Sequence, residues 1–172
     1  MKNLKVITLA IAILGFSAAS FAQSTASVNN SSVGATIHKP ITLSNTTALN
    51  FGGVVSSAGG GTVVLDAATS ARTATGVTIP EGLKGTVAAG LFTVGGHNGA
   101  AYSISIPSTP VTITLSAGKT MTVGTFTSTK TSGTISATTG TDTFSVGATL
   151  TVGANQDPGV YTGTYIVTVQ YN

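Results

Sequence analysis

Cysteine is absent from the chain, and so is tryptophan. No disulfide can staple the fold, no thiolate can hold zinc or attack a substrate, and no lipid can be attached through a cysteine. Charge is scarce as well: Asp, Glu, Lys and Arg together make up 6% of the residues. A nucleic-acid partner would need several clustered cations to neutralise phosphates, and none are clustered here. No basic amphipathic helix is present to lie on a membrane. Histidine occurs twice, as His38 and His97, and the carboxylates are Asp66, Glu81, Asp142 and Asp157. Their scatter offers no zinc spacing, no acidic calcium loop and no designated pair for glycoside hydrolysis. There is no Gly-x-Ser-x-Gly elbow, and Gly59-Gly60-Gly61 lacks the lysine and helix of a phosphate loop. We therefore expect no catalytic residues, no cofactor, no metal and no enzymatic activity.

The first residues do carry a signal. Met1 to Lys5 is basic, Val6 to Gly15 is apolar, and Ser20-Phe21-Ala22 places small residues where a signal peptidase reads them. The apolar run is short of the roughly 20 residues that a spanning helix needs. Residues 1–22 are thus expected to be a cleaved signal peptide, which sends the protein to the periplasm, the cell surface or the medium without inserting the mature chain in a membrane. The remaining length suits about one domain. A domain of that size buries roughly 68–70% of its unfolded surface and needs no staples. Lys39, Lys84, Lys119, Lys130 and Arg72 nearly balance the four carboxylates. The exposed surface must then be Thr, Ser, Gly and Asn.

Gln23 to Ser32 is polar and reads as a flexible arm. Residues 33–172 read as a single domain of short strands punctuated by Gly and Pro, with no segment of helical period. Val33-Ala35-Ile37 alternates, Pro40 interrupts, and Ile41-Leu43 resumes, as in an edge strand bent at a proline. Ala48–Gly52, Thr62–Asp66, Arg72–Ile79, Val87–Val94, Tyr102–Ile106, Val111–Leu115, Thr120–Thr127, Thr141–Val146 and Thr149–Val152 are further candidates. Asp157-Pro158-Gly159 has the order that a type II turn favours. Thr-Val-Gly recurs at Thr93, Thr122 and Thr151. Its flanks do not repeat, which favours coincidence in a Thr/Val/Gly-rich chain over a solenoid. The pattern predicts an all-β fold, an antiparallel sandwich that is immunoglobulin-like in the broad sense, with a small barrel as the alternative.

The last stretch, Val160 to Asn172, is the most regular. Tyr161, Gly163, Tyr165, Val167, Val169 and Tyr171 share one parity, and polar residues share the other apart from Ile166. Side chains of a strand alternate between faces, so this predicts one half-buried closing strand.

Two resemblances follow from these residues. Leu49-Asn50-Phe51-Gly52, Gly61 to Asp66, Arg72 to Gly76, Phe92-Thr93-Val94 with Tyr102 to Pro107, and Leu150 to Asn172 resemble the bacterial family called domain of unknown function 4402. That family implies a fold and a secreted address, and no site. The C-terminus is also similar to pilin subunits assembled by the periplasmic chaperone and outer-membrane usher route. Tyr171 is penultimate and Gly159 is fourteenth from the end, as in those subunits. The resemblance implies a strand that pairs first with an assembly chaperone and then with a neighbour's N-terminal arm. Gly159, Tyr165, Val167, Val169 and Tyr171 would form the receiving strand. Val33, Ala35 and Ile37, which share one face, would be the donor, or else simply the domain's own first strand. The expected function is an exported structural protein, a pilin-like subunit of a surface fibre or adhesive layer, whose partners are its own copies and an assembly chaperone. The alternative is a monomeric secreted or periplasmic module that contacts a glycan or a surface protein through loops such as Gly95 to Ala100.

Overall fold

The longest strand grows from the most sustained alternation between the signal-like start and the C-terminal stretch. Phe144, Val146, Ala148, Leu150 and Val152 share one parity, and all five are buried. They form β9, Thr141–Val152, the central strand of the molecule. The computed structural model describes residues 25–116 and 118–172, so the expected signal peptide lies outside the described residues.

The chain divides into two units, Met1–Thr36 and Ile37–Asn172. In the first unit, the described residues hold a turn at Asn29-Asn30 and no strand, and Val28 and Val33 are 78% and 97% exposed. In the second unit, every ladder is antiparallel. The larger sheet runs β1 (Thr42–Thr47), β4 (Gly90–Gly95), β9, β7 (Thr120–Ser128), β6 (Val111–Leu115) and β10 (Tyr161–Thr162). β2 (Gly61–Leu65) pairs with the C-terminal half of β9, and β3 (Arg72–Thr75) pairs with β2. The smaller sheet runs β11 (Thr168–Tyr171), β5 (Ala101–Ser105) and β8 (Ser132–Thr134). The fold is the expected antiparallel sandwich, and among the described residues its helical content is one 3₁₀ turn, Glu81–Leu83.

β9 feeds two cores. Phe144 and Val146 pack with Phe92, Val94, Tyr102 and Ile135 between the two sheets. Ala148, Leu150 and Val152 pack with Phe51, Val63, Leu65 and Val123, and partly buried residues such as Leu49, Val54, Val77, Ile79 and Val87 close that second core from outside the strands. The rings of Phe92 and Phe144 stack at 5.3 Å in the first. One polar network borders it. Tyr102 Oη donates to Asp142 Oδ2 at 2.9 Å, and Lys130 Nζ donates to Asp142 Oδ1 at 2.6 Å. Burial pushes the Asp142 carboxyl up, but the bonds from Lys130, the Thr143 amide and Tyr102 outweigh it and hold it below the ordinary range. A carboxyl depressed on folding contributes stability above its unfolded pKa and loses it as pH falls through the folded value. Acid titration of Asp142→Asn, followed by circular dichroism, is therefore expected to show a shallower stability loss below pH 3.8 than the parent. An identical acid limb would refute the contribution.

Several expectations need correction. Val33 to Pro40 forms no strand, and β1 begins at Thr42, after the proline. Ala48–Gly52 contributes a single bridge, Asn50 to Ala88, because Gly52 turns away with φ 67°. Residues 141–152 are one strand, not two. Val160–Asn172 is two strands in different sheets: β10 pairs with β6 and β11 pairs with β5, and residues 163–167 cross between them. The turn before β10 falls at Ala154-Asn155, where Asn155 adopts φ 47°, and Gly159 is only a bend. The Thr-Val pairs of the three motifs lie in β4, β7 and β9 of one sheet, where each valine is buried. Thr122 faces Thr151 across the β7–β9 ladder, so they are strand positions and not solenoid units.

Candidate functional site

β11 is an edge strand of the smaller sheet. Its one ladder partner among the described residues is β5, through Thr168–Ser105, Val169–Ile104, Gln170–Ser103 and Tyr171–Tyr102. β1 is likewise an edge strand, paired with β4 alone. The two edges belong to opposite sheets and flank the same core. Ile41 and Leu43 on the β1 side, and Tyr165, Val167, Val169 and Tyr171 on the β11 side, pack against it while staying partly exposed. An unpaired edge bearing half-buried apolar residues is a template for another strand.

The strand order can be set beside that of a known sandwich. In a constant-type immunoglobulin sandwich, strands A, B, E and D form one sheet and C, F and G the other. Here β1, β4, β9 and β7 stand in the A-B-E-D order, and β5 and β11 stand as C and F. On the side of β11 away from β5, where that sandwich places strand G, no strand lies among the described residues.

One end of this seam is tied by Tyr171. Its hydroxyl accepts from the His97 amide at 2.7 Å and donates to the Lys39 carbonyl at 2.8 Å. The ring leaves no room beside Gly96, where a Cβ would lie 2.3 Å from that hydroxyl. Tyr165 lies farther along, between Phe92 and Phe126 at 6.2 and 5.2 Å. Its hydroxyl is buried with no hydrogen-bond partner, and burial pushes its pKa up to about 12. Gly90 makes space for it, since a Cβ there would meet that oxygen at 2.4 Å.

The expected assembly residues are thus divided. Tyr165, Val167, Val169 and Tyr171 line one side of the seam. Gly159 lies apart, at the bend where the chain passes Leu115 with φ 152°. Val33 and Ile37 are almost fully exposed, at 97% and 94%, and Ala35 is exposed too. Sequence reasoning did not identify Ile41 and Leu43 as the opposite bank, although their shared parity at the start of β1 signals it. It also treated His38 and His97 as unrelated, whereas their rings meet at 4.6 Å. Among the described residues no three His, Cys, Asp or Glu side chains gather to hold a metal, and no helix is long and apolar enough to cross a membrane.

No curated protein and no solved structure matches the chain. A family model, described as Domain of unknown function (DUF4402), matches residues 41–171, from the residue before β1 to the end of β11. That match covers most of the sequence, both sheets and both banks of the seam, and the chain belongs to the DUF4402 family.

Proposed function

We propose that the protein is an exported, non-enzymatic structural subunit of a surface fibre or adhesive layer, in which the arm of one copy supplies the strand that β11 of another lacks. The observation that carries this reading is the unpaired edge of β11, with half-buried apolar residues on both banks. The arm supports it: Val33, Ala35 and Ile37 alternate with polar residues and are exposed in their own subunit. A strand added to an edge gains affinity from the ladder and specificity from alternate side chains. A head-to-tail contact of this kind propagates a filament wherever the rotation between copies does not close a ring. The signal-like residues 1–22 and Tyr171, which lines the seam, point the same way. An assembly chaperone would hold the β11 edge until the arm of a neighbour arrives.

The test uses the mature chain beginning at Gln23. Wild type is expected to form concentration-dependent oligomers in size-exclusion chromatography with light scattering, and fibres under negative stain. Ile37→Asp is expected to stay monomeric with an unchanged thermal midpoint, because Ile37 is 94% exposed in its own subunit. A variant that unfolds would place Ile37 in its own fold. A wild type that stays monomeric at high concentration and yields no fibres would overturn this reading in favour of a monomeric binding module.

A further inference from the structure

The chain has two histidines, 59 positions apart, and the fold brings them into contact. His38 lies in the segment before β1, and His97 lies in the loop after β4. Their ring centres are 4.6 Å apart with planes at 77°, and both residues are exposed. The geometry points to a two-histidine site for a divalent transition metal, with water completing the coordination.

Neutral imidazole is a ligand suited to zinc, copper and nickel, and carboxylate-preferring ions such as calcium find no donors in this pair. Bonds of about 2.0–2.1 Å set two nitrogens on one tetrahedral ion ~3.3 Å apart. Ring centres 4.6 Å apart are compatible with that spacing, since each nitrogen lies on the rim of its ring. Exposure leaves both rings free to rotate and leaves room for the bound water. The surroundings are already anchored. The Tyr171 hydroxyl bridges the His97 amide and the Lys39 carbonyl, so the backbones that carry the two imidazoles are held to one oxygen. A metal here would clamp the segment before β1 to the β4–β5 loop, at one end of the seam. This site does not depend on the fibre reading, and its test is made on the monomeric fraction.

The probe is zinc alone, added to untagged chain beginning at Gln23. Nuclear magnetic resonance is expected to show both imidazoles shifting together and saturating at one zinc per chain. The thermal midpoint should rise with zinc concentration, because an ion that binds only the folded state stabilises it by mass action. His38→Ala and His97→Ala should each weaken binding at least tenfold, and the double variant should bind little more weakly than either, as expected for one shared site. Both variants should keep the metal-free midpoint, since both side chains are exposed. Imidazole resonances unmoved by millimolar zinc would overturn the site. So would a single variant that binds as wild type does.

Discussion

A chain lacking Tyr165 to Asn172 is expected to show no cooperative thermal transition. The deletion removes the whole of β11 and the last three of the crossing residues before it. Four side chains, Tyr165, Val167, Val169 and Tyr171, leave the core between the sheets. Full burial of such a residue is worth roughly 1.5–3 kcal/mol, an upper figure. These four are half-buried, so about half of that applies to each. The sum still stands against a total stability of about 5–15 kcal/mol for a typical domain. The deletion also strips β5 of its ladder, leaving β8 as its remaining partner, and uncovers Tyr102, which is 0% exposed in the intact fold. Backbone groups of β5 that lose their partners add to the cost where they stay buried. Calorimetry of the truncated chain checks this; an unchanged midpoint would show β11 to be dispensable.

Gly147→Val should be among the most damaging single substitutions in the large sheet. Gly147 is buried in β9 at the boundary between the two cores. A Cβ there would lie 2.3 Å from the Leu65 carbonyl oxygen and 2.7 Å from the Ala67 nitrogen. Both are backbone atoms, fixed by the β2–β9 ladder in which Leu65 faces Ala148. No side chain can rotate aside, so the strands must separate. Overpacking of this kind costs about 1–3 kcal/mol or more, and backbone obstruction places it at the upper end. That corresponds to a midpoint lowered by about 6–12 °C in a domain of this size. Gly34→Val, where a Cβ meets nothing within 4 Å, is the control and should leave the midpoint unchanged. Equal midpoints for the two variants would refute the argument.

The sandwich was legible because alternation reports burial. β2, β4, β6 and β7 fall close to their expected positions for that reason. Alternation does not report pairing. Through residues 163–167 the odd-numbered side chains Tyr165 and Val167 still face the core, so the period runs on unbroken while the chain leaves one sheet for the other. Gly147 misled in the opposite sense. A glycine in a strand pattern suggests a break, and here it permits close approach of a neighbouring backbone. Val33-Ala35-Ile37 alternates as well, yet its own subunit leaves it exposed. Half of the candidate seam was legible, from Tyr165 to Tyr171. The other bank depends on which strand lies opposite, and the His38–His97 contact depends on a loop and a segment meeting across the fold. Neither is encoded in local spacing.

The position of β9 also sets a timetable. β2, β4 and β7 all take β9 as a partner, yet β9 ends at Val152, about 110 residues after β1 begins. At about 5–20 residues per second, synthesis leaves the early strands without their central neighbour for roughly 5–20 s. β1 can meet β4 and β2 can meet β3 in that interval, but neither pair has a core to cover. Pairings so distant along the chain also form slowly once available. The nascent polypeptide therefore stays loose until its last fifth is made. The export proposed above would thread the chain through a membrane channel in that condition, and the order of the strands favours it.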